Sequence, residues 1–437
     1  MAMPTALNDL DPDAHATPMP NEQAWWKKLG PGLITGAADD DPSGIATYSQ
    51  GGAQFGFDIA WTLLFTYPLM VGIQMASARI GRVTGQGLTD TFSRICPRWI
   101  VVGLVALLVA ANVINLGADL NAMGDAAAML LPGPEGLYVL AFGGVSLLLQ
   151  VLLPYARYVR VLKWLTLSLF AYVGVAFGAQ VDWGDALHAT AWPTITWNKA
   201  YVTTVVAILG TTISPYLFFW QAAQEVEEIK RVPQDQPLRI APDQIRSHLR
   251  RIKVDTYVGM GVSNLIAFFI IIATAATLHA HGVTHIETTR QAATALKPIA
   301  GELAFALFAA GIMGTGMLAL PVLAGSAAYA VASLAKVRKG LDRPWKTAVP
   351  FYAILTAAMA IGAGLGSAGI DPIKALYWAA VINAVIAVPI MVAVMIAASS
   401  RRIMGEIVLS MKWKCLGWAA TAAMAAATVT MFASLLG

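Results

Sequence analysis

Apolar runs long enough to cross a bilayer recur about eleven times along the chain, at roughly 32–56, 58–78, 99–130, 136–155, 161–180, 200–224, 254–278, 300–335, 347–368, 373–398 and 414–436. A hydrocarbon core of ~30 Å takes about 20 helical residues. In that medium every backbone N–H and C=O must be satisfied within its own segment, so runs of this length become helices. Charge agrees, because only 12% of the residues are Asp, Glu, Lys or Arg, against roughly 25% in soluble domains. So few charges cannot cover a water-facing surface. A soluble enzyme, a disordered scaffold and a nucleic-acid module are excluded as classes.

The loops predict an orientation. With the N-terminus in the cytoplasm and alternate loops facing in, all of the 29 Lys and Arg residues fall inside except Lys199, Arg290, Lys297 and Lys374. Such an asymmetry follows the positive-inside rule, and it places the C-terminus outside after eleven spans. The net charge of +4 thus reports topology rather than a nucleic-acid partner. Residues 1–27 are polar and lack the basic-then-apolar pattern of a signal peptide. They are expected to be a disordered cytoplasmic tail, followed by one transmembrane domain over 28–437. Cys96 and Cys415 are expected to be unpaired thiols, since a disulfide framework needs more cysteines and an oxidising compartment.

Two runs are interrupted. From Gly32 to Thr47 the first contains Asp39, Asp40 and Asp41 followed by Pro42, Ser43 and Gly44. A carboxylate at mid-span costs on the order of 2.5–3.5 kcal/mol even on insertion scales, and Pro42 removes a helix donor. The sixth run has a matching interruption, Gly210-Thr211-Thr212-Ile213-Ser214-Pro215-Tyr216. Spans one to five and six to ten are therefore candidate inverted repeats, about 30–180 and 199–398, with an extra helix at 414–436. Paired breaks of this kind point to the central site of a transporter. Unwound backbone at that depth is tolerated where it lines a polar cavity or holds a ligand.

Several motifs resemble one family. Gly30-Pro31-Gly32, Asp41-Pro42-Ser43-Gly44, Gly51-Gly52-Ala53-Gln54-Phe55-Gly56, Arg79-Ile80-Gly81-Arg82-Val83-Thr84-Gly85, Arg401-Arg402-Ile403-Met404-Gly405-Glu406 and Leu416-Gly417-Trp418 are similar to those of NRAMP divalent-metal transporters, over about 28–420. The resemblance implies an all-α membrane protein of LeuT type: a 5+5 inverted repeat plus one helix, with spans 1 and 6 broken, working by alternating access. It resembles a divergent branch. Asp41 matches the family's metal-binding aspartate, but Gly44 stands where an asparagine ligand is usual. Ser214, Pro215 and Tyr216 replace methionine–proline–histidine, and Gln221 replaces a second histidine. In the third span Asp119 is kept, whereas Ala122 replaces a glutamate linked to proton movement.

The implied metal ligands are Asp41 and Asp40, the Gly44 position, Ser214, and the carbonyls of Ala38 and Thr211. Tyr216, Gln221 and Asn383 are expected to line the cavity, with Asp119 as a proton-linked residue. A thioether favours soft metals, so its replacement by a hydroxyl removes that preference. Losing the asparagine is expected to enlarge the cavity. An oxygen-lined anionic site suits a hard cation that keeps several waters. The alternative for Ser214 is a hydrogen bond to backbone beside a kink, and for Asp39 and Asp40 a supporting or vestibule role. Glu225, Glu227 and Glu228 are expected at the inner vestibule or on a neighbouring Arg. His279, His281 and His285 are expected to form a solvated loop cluster.

A second class remains open, a carrier of a small organic solute such as an amino acid. Gly44 and Ser214 would open its volume, Tyr216, Phe218, Phe219 and Trp220 would wall it, and Asp41 would pair with an ammonium group. Nothing in the sequence suggests an enzyme or a cofactor: no nucleotide-binding loop or nucleophile–base spacing is present. The expected setting is a bacterial-type inner membrane, with the bilayer and a divalent cation or small solute as partners and the chain acting as a monomer.

Overall fold

The computed structural model describes residues 31–153, 167, 169–178, 181–366, 369 and 371–436. The expected tail over 1–27 lies outside them, as does much of the fifth run. Among the described residues the regular structure is helical throughout. The main helices are α1 (Pro31–Asp39), α2 (Pro42–Phe55), α3 (Trp61–Thr84), α4 (Arg98–Ala128), α5 (Glu135–Leu152), α6 (Phe170–Gly178), α7 (Trp183–Ala191), α8 (Lys199–Thr212) and α9 (Pro215–Arg231). They continue with α10 (Ile245–Thr277), α11 (Ala304–Leu334), α12 (Val349–Gly366), α13 (Pro372–Ser399) and α14 (Met411–Leu436). Nine helical stretches among the described residues are long and apolar enough to cross a membrane, counting α8 with α9 as one. The first broken run is the pair α1 and α2.

Both breaks have the same local cause. Asp41 is the N-cap of α2 with Pro42 at its first turn, and Ser214 is the N-cap of α9 with Pro215 at its first turn. Proline suits that position, because its fixed φ begins a helix and its missing N–H would have no partner there anyway. Each proline therefore ends the preceding helix and starts the next.

Around the breaks, α4 packs against α11, α12 and α13, α1 lies on α10, and α8 lies on α13. Two glycines permit the closest approaches. A Cβ at Gly36 would fall on the Gly259 carbonyl of α10, and one at Gly210 on the Ala380 carbonyl of α13. Small residues at such contacts let backbones approach where no hydrophobic force drives association. The outer surface is apolar, with Leu64, Phe65, Leu140, Leu148 and Phe432 exposed, while Asp39, Asp41, Asn115 and Asp119 are buried. This inverted polarity belongs to an integral membrane protein.

At the end expected to face the cytoplasm, ion pairs tie the helices. Arg82 meets Asp235 at 2.5 Å and Arg251 meets Glu225 at 2.5 Å. Within α9 itself Glu227 pairs with Lys230 at 3.0 Å and Glu228 lies 3.9 Å from Arg231. The Gly32 N–H donates to Asp255 at 2.6 Å, fastening α1 to α10. At the other end His279, His281 and His285 are all exposed, in keeping with the solvated loop cluster expected from the sequence. From that exposed position the His279 ring also donates to the Ala53 carbonyl at 2.8 Å and meets the end of α2. Among the described residues, no group of three or more His, Cys, Asp or Glu is arranged to hold a metal ion.

Candidate functional site

Asp41 stands between α1 and α2 with its backbone extended, at φ −69° and ψ 170°. Its carboxylate accepts four hydrogen bonds. Oδ1 receives the Gly44 N–H and the Ser43 hydroxyl, each at 2.8 Å. Oδ2 receives the Asn115 amide at 2.9 Å and the Tyr216 hydroxyl at 3.1 Å. The first two are capping interactions, the usual use of an aspartate before a helix. The second two come from α4 and α9. These four donors offset part of the cost of burying a carboxyl group in a medium that disfavours charge.

The neighbouring acids face elsewhere. Ser263 Oγ on α10 lies 2.6 Å from Asp39 Oδ2 and 3.1 Å from Asp40 Oδ1. Asp39 and Asp40 are thus buried against α10, while Asp41 turns toward α4 and α9. Asp119 is wholly buried beside Asp41 and the Ser43 backbone and makes no side-chain hydrogen bond.

The second break contributes backbone. The Ser214 hydroxyl turns onto its own helix, donating toward the Gly210 carbonyl at 2.7 Å and the Thr211 carbonyl at 2.9 Å. The Ala38 carbonyl is met by the Tyr216 hydroxyl at 3.2 Å. Both carbonyls expected from the sequence therefore border the breaks, each already contacted by a hydroxyl. Gln221 accepts from the Thr35 hydroxyl at 2.5 Å and so ties α9 to α1. Asn383 is buried in α13, which packs against α2, and neither of its amide atoms is hydrogen-bonded.

One expectation is corrected. The glycine at position 44 does not leave an open cavity. A Cβ there would stand 3.2 Å from Thr211 Oγ1, 3.3 Å from the Tyr48 ring and 3.4 Å from the Asp39 carbonyl. Neighbouring side chains occupy the volume that the missing asparagine suggested.

Asn115 and Ser263 were not legible as site residues. Asn115 did leave a trace, since it lies one helical turn before Asp119 in a largely apolar span, on the same face. A polar residue at that depth is a functional candidate in its own right.

The chain matches the Nramp family, described as natural resistance-associated macrophage protein-like, over residues 32–434. It is 27% identical over 378 residues to the divalent metal cation transporter MntH of Caldanaerobacter subterraneus subsp. tengcongensis, covering 80% of this chain and 79% of that one. It is 24% identical over 403 residues to the MntH of Burkholderia ambifaria, covering 90% and 85%. The solved Eremococcus coleocola manganese transporter, in complex with an aromatic bis-isothiourea substituted compound, superposes with a TM-score of 0.75 at 16% identity, over 98% of this chain and 90% of that one. Mhp1, a nucleobase-cation-symport-1 family transporter in a closed conformation, gives 0.58 at 14% identity, over 94% and 90%. These likenesses carry the fold, the LeuT-type arrangement with two broken spans. Matched across nearly its whole length, the chain belongs to the Nramp family.

Proposed function

We propose that this protein carries a divalent cation across the membrane by alternating access around Asp41. The observation that carries this reading is a wholly buried carboxylate fixed at a helix break, with backbone carbonyls of both broken spans bordering it. Asp41 is the primary ligand, and the Ala38 and Thr211 carbonyls join it when the Tyr216 and Ser214 hydroxyls rotate away. Asp40 balances charge from the α10 side, and the Gly44 N–H orients Asp41. Ser214, Tyr216, Gln221 and Asn383 border the path. The donors are oxygens, with no thioether or imidazole among them, which suits a hard, partly hydrated ion such as Mg²⁺ or Mn²⁺.

Each of these residues is buried, so the described conformation corresponds to an occluded step between outward and inward openings. The organic-solute alternative loses its main support, because the space it needed at Gly44 is filled. Transport is proposed to proceed without strict proton coupling, as a monomer in a bacterial-type inner membrane with the N-terminus inside and the C-terminus outside. Proteoliposome uptake with a panel of Mg²⁺, Mn²⁺, Ca²⁺, Cd²⁺ and amino acids tests the function. Mutual competition by Mg²⁺ and Mn²⁺ at comparable concentrations is expected. Entry of an amino acid with no divalent uptake overturns it.

A further inference from the structure

The Asp41 carboxylate has two oxygens, and they are held differently. Oδ1 is committed to the turn that starts α2, through the Gly44 N–H and the Ser43 hydroxyl. Oδ2 is held by groups from other helices, Asn115 and Tyr216. An arriving cation must compete for Oδ2, and to do so it must displace a donor. An N–H pointing at a cation is repulsive, so the Asn115 amide cannot stay as it is. It has another way to face the ion. The group 2.9 Å from Oδ2 is the N–H₂ end of the amide, which donates to the carboxylate oxygen. The Asn115 oxygen is on the other side, fully buried and without a hydrogen-bond partner. A buried carbonyl left unpaired is costly and calls for an explanation.

We propose that Asn115 is a direct ligand of the transported cation, turning about its Cβ–Cγ bond so that its carbonyl oxygen replaces the N–H₂ group beside Asp41. This assignment rests on the transport function proposed above and adds a ligand from α4 to that site. The rotation needs no backbone movement, because the two ends of a primary amide are nearly equal in size. The displaced N–H₂ has an acceptor within reach. Asp119 lies four residues on, and a helical side chain leans back toward the preceding turn. Its carboxylate makes no side-chain hydrogen bond in the occluded state. In the absence of a cation the N–H₂ end neutralises part of the Asp41 charge. In its presence the oxygen end takes over as ligand.

Two substitutions on the full-length chain separate the donor from the ligand role. Asn115→Leu keeps the shape and supplies neither a donor nor an oxygen. Asn115→Asp supplies oxygen and no donor. With Mn²⁺ as probe in isothermal titration, Asn115→Leu is expected to bind at least about tenfold more weakly than wild type, and Asn115→Asp at least as tightly. A Leu variant within about twofold of wild type overturns the proposal, as does an Asp variant as weak as a folded Leu variant. Thermal midpoints without metal report folding. If Asn115→Leu does not fold, the Mn²⁺-dependent midpoint shift of Asn115→Asp against wild type decides in the same sense. Absence of any divalent binding by wild type sinks the transport function together with this ligand. Tight wild-type binding with unaltered variants sinks the ligand alone.

Discussion

At the residue scale the central fact is how many donors converge on Asp41. Replacing it by alanine removes the one carboxylate that four groups address, so divalent binding should fall below detection by titration while the helices still assemble. Each buried donor left unpaired costs about 1–3 kcal/mol, and a lowered thermal midpoint should accompany the loss. Unchanged Mn²⁺ affinity in Asp41→Ala would place the site elsewhere. Restoring an asparagine at position 44 is a different matter, because Thr211 Oγ1 and Tyr48 stand in its way. Gly44→Asn alone should destabilise the protein, and Thr211→Ala should recover part of that loss. A double-mutant cycle on thermal stability measures the coupling, and strict additivity would contradict the crowding. Ser214→Met is expected to favour Cd²⁺ over Mg²⁺ in competition uptake, by supplying a soft sulfur where a hydroxyl now bonds backward.

At the scale of elements, the two broken spans are held by different means. α1 is seated on α10 through Gly36 and fastened by the Gly32 N–H to Asp255, with Gln221 joining it to α9. Gly36→Val should push α1 off α10 at a cost of about 1–3 kcal/mol. Because α1 borders Asp41, the same change should raise solvent access to the site, read by thiol labelling of a Ser43→Cys reporter in that background. Equal labelling with glycine or valine at position 36 would mean that α1 is not a closing element. The α9–α10 junction depends on a buried charge pair. Arg251→Met strands Glu225, which is fully buried, and loss of one partner of such a pair costs about 3–5 kcal/mol. A denaturation midpoint equal to wild type would show that Glu225 finds another cation.

For the whole molecule, the placement of charge governs both coupling and orientation. A proton-coupled carrier needs a chain of titratable groups, and Tyr216, Gln221 and Ala122 do not titrate near neutral pH. Cation entry into dye-loaded liposomes should therefore follow the imposed membrane potential without acidifying the lumen. Acidification that tracks uptake and vanishes in Asp119→Asn would reverse this. Orientation has its own test, since Cys96 and the exposed Cys415 are free and are expected on the cytoplasmic side. A membrane-impermeant maleimide should label Cys415 in inverted vesicles and not in intact cells.

The apolar runs, the two breaks and the family resemblance were legible in the sequence because their causes are local. A run of apolar residues specifies a helix in lipid, and a proline after an acid or a serine specifies where that helix restarts. The place of Asp41 at the first break was legible for the same reason. What faces Asp41 was not. Asn115 is 74 residues away and Tyr216 is 175 away, and Ser263 is more than 220 from the acids that it joins. No periodicity records such pairings, because they depend on which helices lie side by side. For the same reason the missing side chain at Gly44 suggested a cavity, whereas packing by Thr211 and Tyr48 filled it. The sequence by itself determined a membrane carrier broken at two places around an acid. Only the tertiary structure decided which amide, hydroxyls and carbonyls surround that acid, because contact across distant helices is a property of packing and not of any one segment.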